Sequence, residues 1–284
     1  MILWGCNSPE ATQSDLKAEV DKWHKGRMER LYAETGFLNL AGLFWMEPGD
    51  HTFGSSQDNS LVFPSDFAPL SGKLFVTPNQ VVFTPDPSFD VEIDGEPVAS
   101  PTLIYDKEED LVKTLVFRSF KWFVIERAGN IGIRLKDLEH PLLKSKMNIG
   151  RFDISPEWVV EADYVPYDAP REIRIENIIG HVYDMPIQGQ LRFEKDGKKY
   201  TLEPIIEGDK FFVIFSDETS GESTYGAGRY MYIDRPAGEE PVVLDFNKSY
   251  NPPCAFTEFA TCFIPPPENR LSLVIEAGEK DFHF

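Results

Sequence analysis

Between Leu244 and Leu271 the run LDFNKSYNPPCAFTEFATCFIPPPENRL gathers several chemically able groups into 28 residues. Asp245, Asn247, Tyr250, Asn251, Glu258 and Asn269 are polar, and Arg229 stands a short way upstream. A cation, carboxylates and amides in one segment can orient a polar ligand, and two carboxylates can work as acid and base. Asp245, Tyr250, Glu258 and Arg229 are therefore the candidates for a hydrolase-type reaction. The candidates for ligand binding are Arg134, Asp137, Tyr225, Arg229, Asp245, Asn247, Tyr250, Asn251 and Asn269. Tyr225, Tyr250, Phe256 and Phe259 could supply the apolar wall that pockets need. A structural reading stands beside this one. Asn and Asp next to proline commonly form Asx-turns, and Arg229 could simply pair with Asp245.

The same segment holds Cys254 and Cys262, two of only three cysteines. A disulfide between them would close a small loop and contribute about 2–3 kcal/mol. Inert buried thiols are the second reading. A catalytic thiol is the third, and it would want a cationic neighbour, for which Arg229 and Lys248 are the candidates. A zinc site would need two more ligands, and no nearby CxxC or histidine offers them. No metal and no cofactor is expected. Walker A, GxGxxG-helix, HExxH and GxSxG patterns are all missing, and the five histidines are scattered.

Five prolines in this segment fix φ and remove backbone donors. A long irregular stretch of this kind is uncommon unless it is functional or specially braced. The flanking runs Asp217–Asp234 and Asn269–Lys280 read as strand material. Upstream, Leu16, Val20, Trp23, Arg27 and Leu31 recur at three- and four-residue spacing. That spacing predicts an amphipathic helix over 14–36, capped by Ser14 and closed near Gly36. From Phe37 the period becomes two, in short runs such as KLFVT, QVVFT, KWFVIE and KFFVIF, with Asp94-Gly95 and Asp196-Gly197 as hairpin turns.

The expected fold is mainly β, an antiparallel sandwich or barrel with one N-terminal amphipathic helix. Its parts would be a leader at 1–13, the helix, a first β part at 37–137 and a second at 138–284. Residues 38–105 resemble the forkhead-associated β-sandwich in outline, without the Ser-Arg and His pattern that binds phosphothreonine there.

With 47 acidic and 28 basic residues the net charge is −19. Such a chain repels nucleic acid, so that partner class is excluded. No apolar run reaches the ~18 residues of a membrane helix. Leu3-Trp4-Gly5-Cys6 resembles a lipobox, yet only Met1 and Ile2 precede it, too few for a signal peptide. Lipidation at Cys6 and a place at the cell envelope would require an upstream start; otherwise the cytoplasm is expected. Membrane contact is expected only through such an anchor.

One longer pattern remains. Thr224-Tyr225-Gly226-x-Gly228-Arg229, then Asp245-Phe246-Asn247-x-x-Tyr250-Asn251-Pro252-Pro253-Cys254-Ala255, Cys262 and Asn269-Arg270-Leu271 resemble the DUF1684 family. Upstream, Gly42-Leu43-Phe44-Trp45, Phe53-Gly54 and Arg134-x-x-Asp137 extend the resemblance to roughly 23–280. Phe263 departs from it, standing where the family pattern leads one to expect proline. The resemblance implies no activity, substrate or catalytic residue. The reading that follows is a module binding a small polar or carbohydrate-like ligand at 225–270. The alternatives are a hydrolase and a purely structural envelope protein.

Overall fold

The computed structural model describes residues 12–236, 238 and 240–282. Cys6 and its lipobox resemblance lie outside the described residues. The chain forms two compact units. One holds the described residues up to Arg30, Asn148–Ala255 and those from Cys262 onward; the other holds Leu31–Met147 and Phe256–Thr261.

The helix runs Gln13–Tyr32 and buries Val20 and Arg27, with Leu16, Trp23 and His24 half-buried beside them. Its cap is Thr12 rather than Ser14. The Thr12 hydroxyl and N–H both donate to Asp15 Oδ2, at 2.7 and 3.1 Å, and the Asp15 N–H returns to Thr12 Oγ1 at 3.3 Å. This reciprocal pairing satisfies the first-turn donors and leaves Ser14 inside the helix. The helix also stops four residues before Gly36. Beyond it the Glu34 and Gly36 carbonyls are taken by side chains: Asn39 Nδ2 and Lys136 Nζ donate to Glu34 O, and Lys136 Nζ to Gly36 O.

The unit containing 31–147 is built from two six-stranded sheets. All pairs are antiparallel except Gly49–Gly54 with Leu61–Val62. Period-two patterning sets the faces: along Gly72–Val76, Leu74 is fully buried while Phe75 is 51% exposed. The core between the sheets is aromatic, with Trp122 edge-on to Phe53 and Phe83 at 5.0 and 5.4 Å.

The other unit has a four-stranded sheet in the order Lys198–Leu202, Val182–Lys195, Val159–Glu176, Val242–Asp245. It also has a three-stranded sheet of Ile205–Glu207, Lys210–Phe215 and Arg229–Asp234. All pairs are antiparallel. Leu191, Leu202, Phe211, Phe215, Leu244 and Phe246 fill one shared core. Asp196 and Gly197 both take positive φ (53° and 72°), as a two-residue hairpin turn of mirror type requires.

Two stretches read as strand in the sequence are not strand. Asp217–Gly228 is a series of turns, and Asn269–Lys280 is irregular with isolated bridges. Side chains take the place of a ladder there. Asp217 accepts the Ile275 N–H at 3.3 Å, and Arg229 donates to the carbonyls of Ile275 and Ala277. Among the described residues the fold is mainly β, with antiparallel sandwich-like sheets, no closed barrel and one long N-terminal helix. Among the described residues no helix is long and apolar enough to cross a membrane.

Candidate functional site

Arg229 opens the strand Arg229–Asp234 and is completely buried. Its partner is Asp217, not Asp245: Nη2 donates to Asp217 Oδ2 at 2.7 Å and to Ile275 O at 3.1 Å, and Nη1 donates to Ala277 O. Asp217 Oδ1 accepts from the N–H and hydroxyl of Thr219, at 2.9 and 2.6 Å. Burial lowers the Arg229 pKa and the Asp217 carboxylate opposes that. Both side chains have no solvent exposure, so the pair braces the Asp217–Gly228 turns against the chain at 275–277.

Asp245 and Asn247 form a second brace. Asp245 Oδ1 accepts from the Asn247 N–H and Nδ2, at 3.1 and 2.9 Å, and Lys248 Nζ lies 3.2 Å from Oδ2. Asn247 in turn reads the Ser155 backbone with both ends of its amide, each at 3.0 Å. Asn269 does the same elsewhere, accepting from Glu203 N–H and donating to the Glu203 and Ile214 carbonyls. A buried amide with its bonds spent on backbone is a clamp. Asp245→Ala therefore removes the cap of the Phe246–Lys248 turn and is expected to cost about 1–2 kcal/mol. A chemical melt that shows no loss would contradict this role.

Arg134, Asp137 and Glu258 belong to the other unit. Arg134 is buried in the strand Asn130–Asp137, and Asp137 accepts the Glu139 N–H at 2.9 Å. Glu258 is exposed. Asp245, Glu258, Tyr250 and Arg229 thus do not share partners, and no acid–base pair is formed from them. That unit also carries an open cavity of about 580 Å³ lined by Phe67, Leu70, Phe89, Phe117, Asp86 and Arg118 among others. None of the sequence candidates lines it, and Asp86 is occupied by the N–H and hydroxyl of Ser88.

Tyr250 and Asn251 enter a different arrangement. Gly278 has φ +77°, and a Cβ there would collide with the Ser249 carbonyl, so glycine lets the two chain segments touch. The contact puts the buried Glu279 beside Asn251, whose N–H donates to Oε2 at 2.7 Å. Arg27 Nε donates to Glu279 Oε1 at 3.3 Å and its Nη2 to Asn251 O at 2.8 Å. The Arg27 guanidinium also lies 4.5 Å over the Tyr250 ring, and Trp23 packs on that ring at 6.2 Å. Arg151 bridges to Glu279 along the backbone and holds Asp21 at 3.0 Å.

Around this carboxylate four buried polar atoms have no hydrogen-bond partner: His24 Nε2, Arg151 Nη1, Ser249 Oγ and Asn251 Oδ1. Buried polar groups are normally satisfied, so these four atoms are open to further hydrogen bonds. Burial drives the His24 imidazole down to about 4, helped by the Arg151 and Arg27 guanidiniums and opposed by Asp21. Glu279 Oε1 lies 4.0 Å from His24 Nε2. That oxygen already accepts from Arg27, and burial keeps the imidazole neutral. Burial also pushes the Glu279 carboxyl up, against the pull of Arg27 and the Asn251 N–H.

Cys254 and Cys262 are free thiols, Cys254 partly exposed and Cys262 buried. The Cys254 N–H donates to Cys262 Sγ at 3.0 Å, which brings the two residues together. The disulfide considered from the sequence is not formed in this structure. Neither Arg229 nor Lys248 serves as the cationic neighbour; Lys248 pairs with Glu19 and Asp245. Tyr225 acts on Cys254 instead and helps to draw its thiol below the usual range.

Residues 147–280 match a family model described as a protein of unknown function, DUF1684. The DUF1684 resemblance read from the sequence is supported over that stretch, just under half of the chain. The DUF1684 segment takes in both sheets of its unit, the cysteine pair, and Arg151, Ser249, Tyr250, Asn251 and Glu279. It does not include Gly42–Trp45, Phe53-Gly54, Arg134 or Asp137, to which the resemblance had been extended. No curated protein matches the chain. A solution NMR structure of an uncharacterized protein from Haloarcula marismortui is 27% identical, covering 49% of this chain and 80% of that one. Its TM-score is 0.41, too low to support an argument.

Sequence reasoning placed Tyr250 and Asn251 among the DUF1684 candidates but missed Arg27, His24, Arg151 and Glu279. Arg27 carried one signal, a charged residue on the apolar stripe of the helix. Glu279 carried another, an acid beside a glycine in a run read as strand. Among the described residues no three His, Cys, Asp or Glu side chains group as metal ligands.

Proposed function

We propose that the unit containing the DUF1684 segment binds a small, neutral, hydroxylated molecule of carbohydrate-like chemistry beside Glu279. The observation that carries this reading is the set of four unpartnered buried atoms around that carboxylate. Arg151 Nη1 can only donate, Asn251 Oδ1 can only accept, and the Ser249 hydroxyl and His24 imidazole can do either. A ligand that matches them must both donate and accept, which a polyol does and a simple anion does not. Trp23 and Tyr250 supply aromatic surface next to these atoms. The hydrolase reading draws no support from this arrangement, because Asp245 is already bonded to Asn247 and Lys248, and Glu258 belongs to the other unit.

The test is a thermal-shift and ligand-observed NMR screen of mono- and disaccharides and polyols against the full chain. At least one class is expected to raise the melting temperature. Asn251→Ala should reduce that effect by about tenfold in affinity, the scale of one or two lost hydrogen bonds. A high-resolution crystal structure that shows only water on all four atoms, with no binder in the screen, would leave a structural protein as the reading.

A further inference from the structure

The Tyr225, Tyr230, Cys254 and Cys262 cluster plays no part in the proposed ligand site, and its geometry is asymmetric. Cys254 sits in the short turn Pro253–Ala255 and is partly exposed. Cys262 is only 7% exposed and receives the Cys254 N–H at its sulfur. Its backbone is held, with Cys262 O accepting the Ile178 N–H at 2.8 Å and the adjoining Phe263 bridged to Asn177. Tyr230, whose hydroxyl donates to Phe263 O at 2.8 Å, lies against the Cys262 sulfur. Cys254, the more exposed of the two, is the sulfur that an incoming oxidant reaches first. The anion is the nucleophile, and access favours the exposed sulfur in that role. The Cys254 thiol is pulled below its usual range by Cys262 and Tyr225 against burial, while burial pushes Cys262 up.

We infer that Cys254 and Cys262 form a hydroperoxide-reactive dithiol in which Cys254 attacks and Cys262 resolves. The Cys254 thiolate attacks the terminal peroxide oxygen. The O–O bond breaks, and the leaving alkoxide or hydroxide takes up a proton, with the Tyr225 hydroxyl placed beside the reacting sulfur. Cys254 is then a sulfenic acid. The Cys262 sulfur attacks the Cys254 sulfur, its proton leaves with the sulfenic hydroxyl as water, and a disulfide results. Two thiols have lost two electrons and two protons, and the peroxide has been reduced by the same two electrons. Proximity makes the second step intramolecular, so overoxidation of Cys254 is suppressed.

The experiment uses the reduced full chain, hydrogen peroxide as probe and peptide mass mapping as readout. The wild-type protein is expected to lose the mass of two hydrogen atoms, with Cys254 and Cys262 in one linked peptide. Cys262→Ser should stop at a sulfenic acid on Cys254, trapped by dimedone, and Cys254→Ser should leave Cys262 unmodified at the same dose. Tyr225→Phe should slow the first step by about tenfold, as the loss of one polar partner of a charged sulfur implies, without preventing the disulfide. Far-ultraviolet circular dichroism of each variant reports whether it is folded. If folded wild-type protein reacts no faster than free cysteine, or if Cys262 reacts first in Cys254→Ser, the assignment is overturned.

Discussion

Arg229→Ala is expected to lower the unfolding free energy by about 3–5 kcal/mol, the cost of stranding one member of a buried ion pair. The loss has three sources in the structure. Asp217 is left buried without its cation, the carbonyls of Ile275 and Ala277 lose their donor, and a void replaces the guanidinium beside Phe215. Because the stretch at 275–277 has no ladder of its own, these bonds are its attachment to the sheet. Paired substitution distinguishes charge from packing. Arg229→Met with Asp217→Asn removes both charges, retains most of the volume and leaves Thr219 an acceptor, so it should recover part of the loss. Urea titration followed by circular dichroism measures both. An unchanged midpoint for Arg229→Ala would mean that the turns at 217–228 hold themselves.

The second large effect is a loss of stability in mild acid that depends on His24. Its folded-state pKa of about 4 lies below the ordinary 6.5. The unfolded chain therefore binds more protons between those values, and stability falls as pH drops through that window. At most about 3 kcal/mol is involved, following the free energy equivalent of the shift. Above pH 6.5 the imidazole is neutral in both states and contributes no slope. Glu279 acts in the opposite sense, since a carboxyl raised by burial gives the folded state the greater proton uptake above its unfolded pKa. The comparison of wild type with His24→Gln isolates the imidazole, because Glu279, Arg27, Arg151 and Asp21 remain in both. Melting temperatures measured from pH 7 to 4.5 should fall more steeply for wild type than for the variant. Parallel curves would show that His24 takes up its proton without cost, through Glu279 or through solvent.

Both effects bear on the site. Arg229 was a candidate for ligand contact and is a brace; His24 read as a packing or surface residue of the helix and carries one of the unpartnered atoms. A residue type that can do chemistry can equally hold a turn, and side-chain partners decide which. Asn247 and Asn269 show this most directly. Their amides point at the backbones of Ser155, Glu203 and Ile214, residues 55 to 92 positions away in sequence.

Local and periodic features were legible in the sequence because short-range physics produces them. Alternation along Gly72–Val76 sets a buried face, Asp196-Gly197 turns a hairpin, and Leu16, Val20, Trp23 and Arg27 set the inner face of the helix. The antiparallel, mainly β character and the DUF1684 segment could be read at that level. Boundaries could not be read wherever a distant side chain intervened, as Asn39 and Lys136 do after Tyr32. The strand-like run at Asn269–Lys280 is broken for the same reason: at 275–277 Asp217 and Arg229 take the place of a neighbouring strand, and isolated bridges hold the rest. Only the tertiary structure could join Arg27 to Glu279 across 252 positions, or place Cys262 on the N–H of Cys254. Periodicity reports how each residue faces its own element, whereas hydrogen-bond partners are set by where the chain returns.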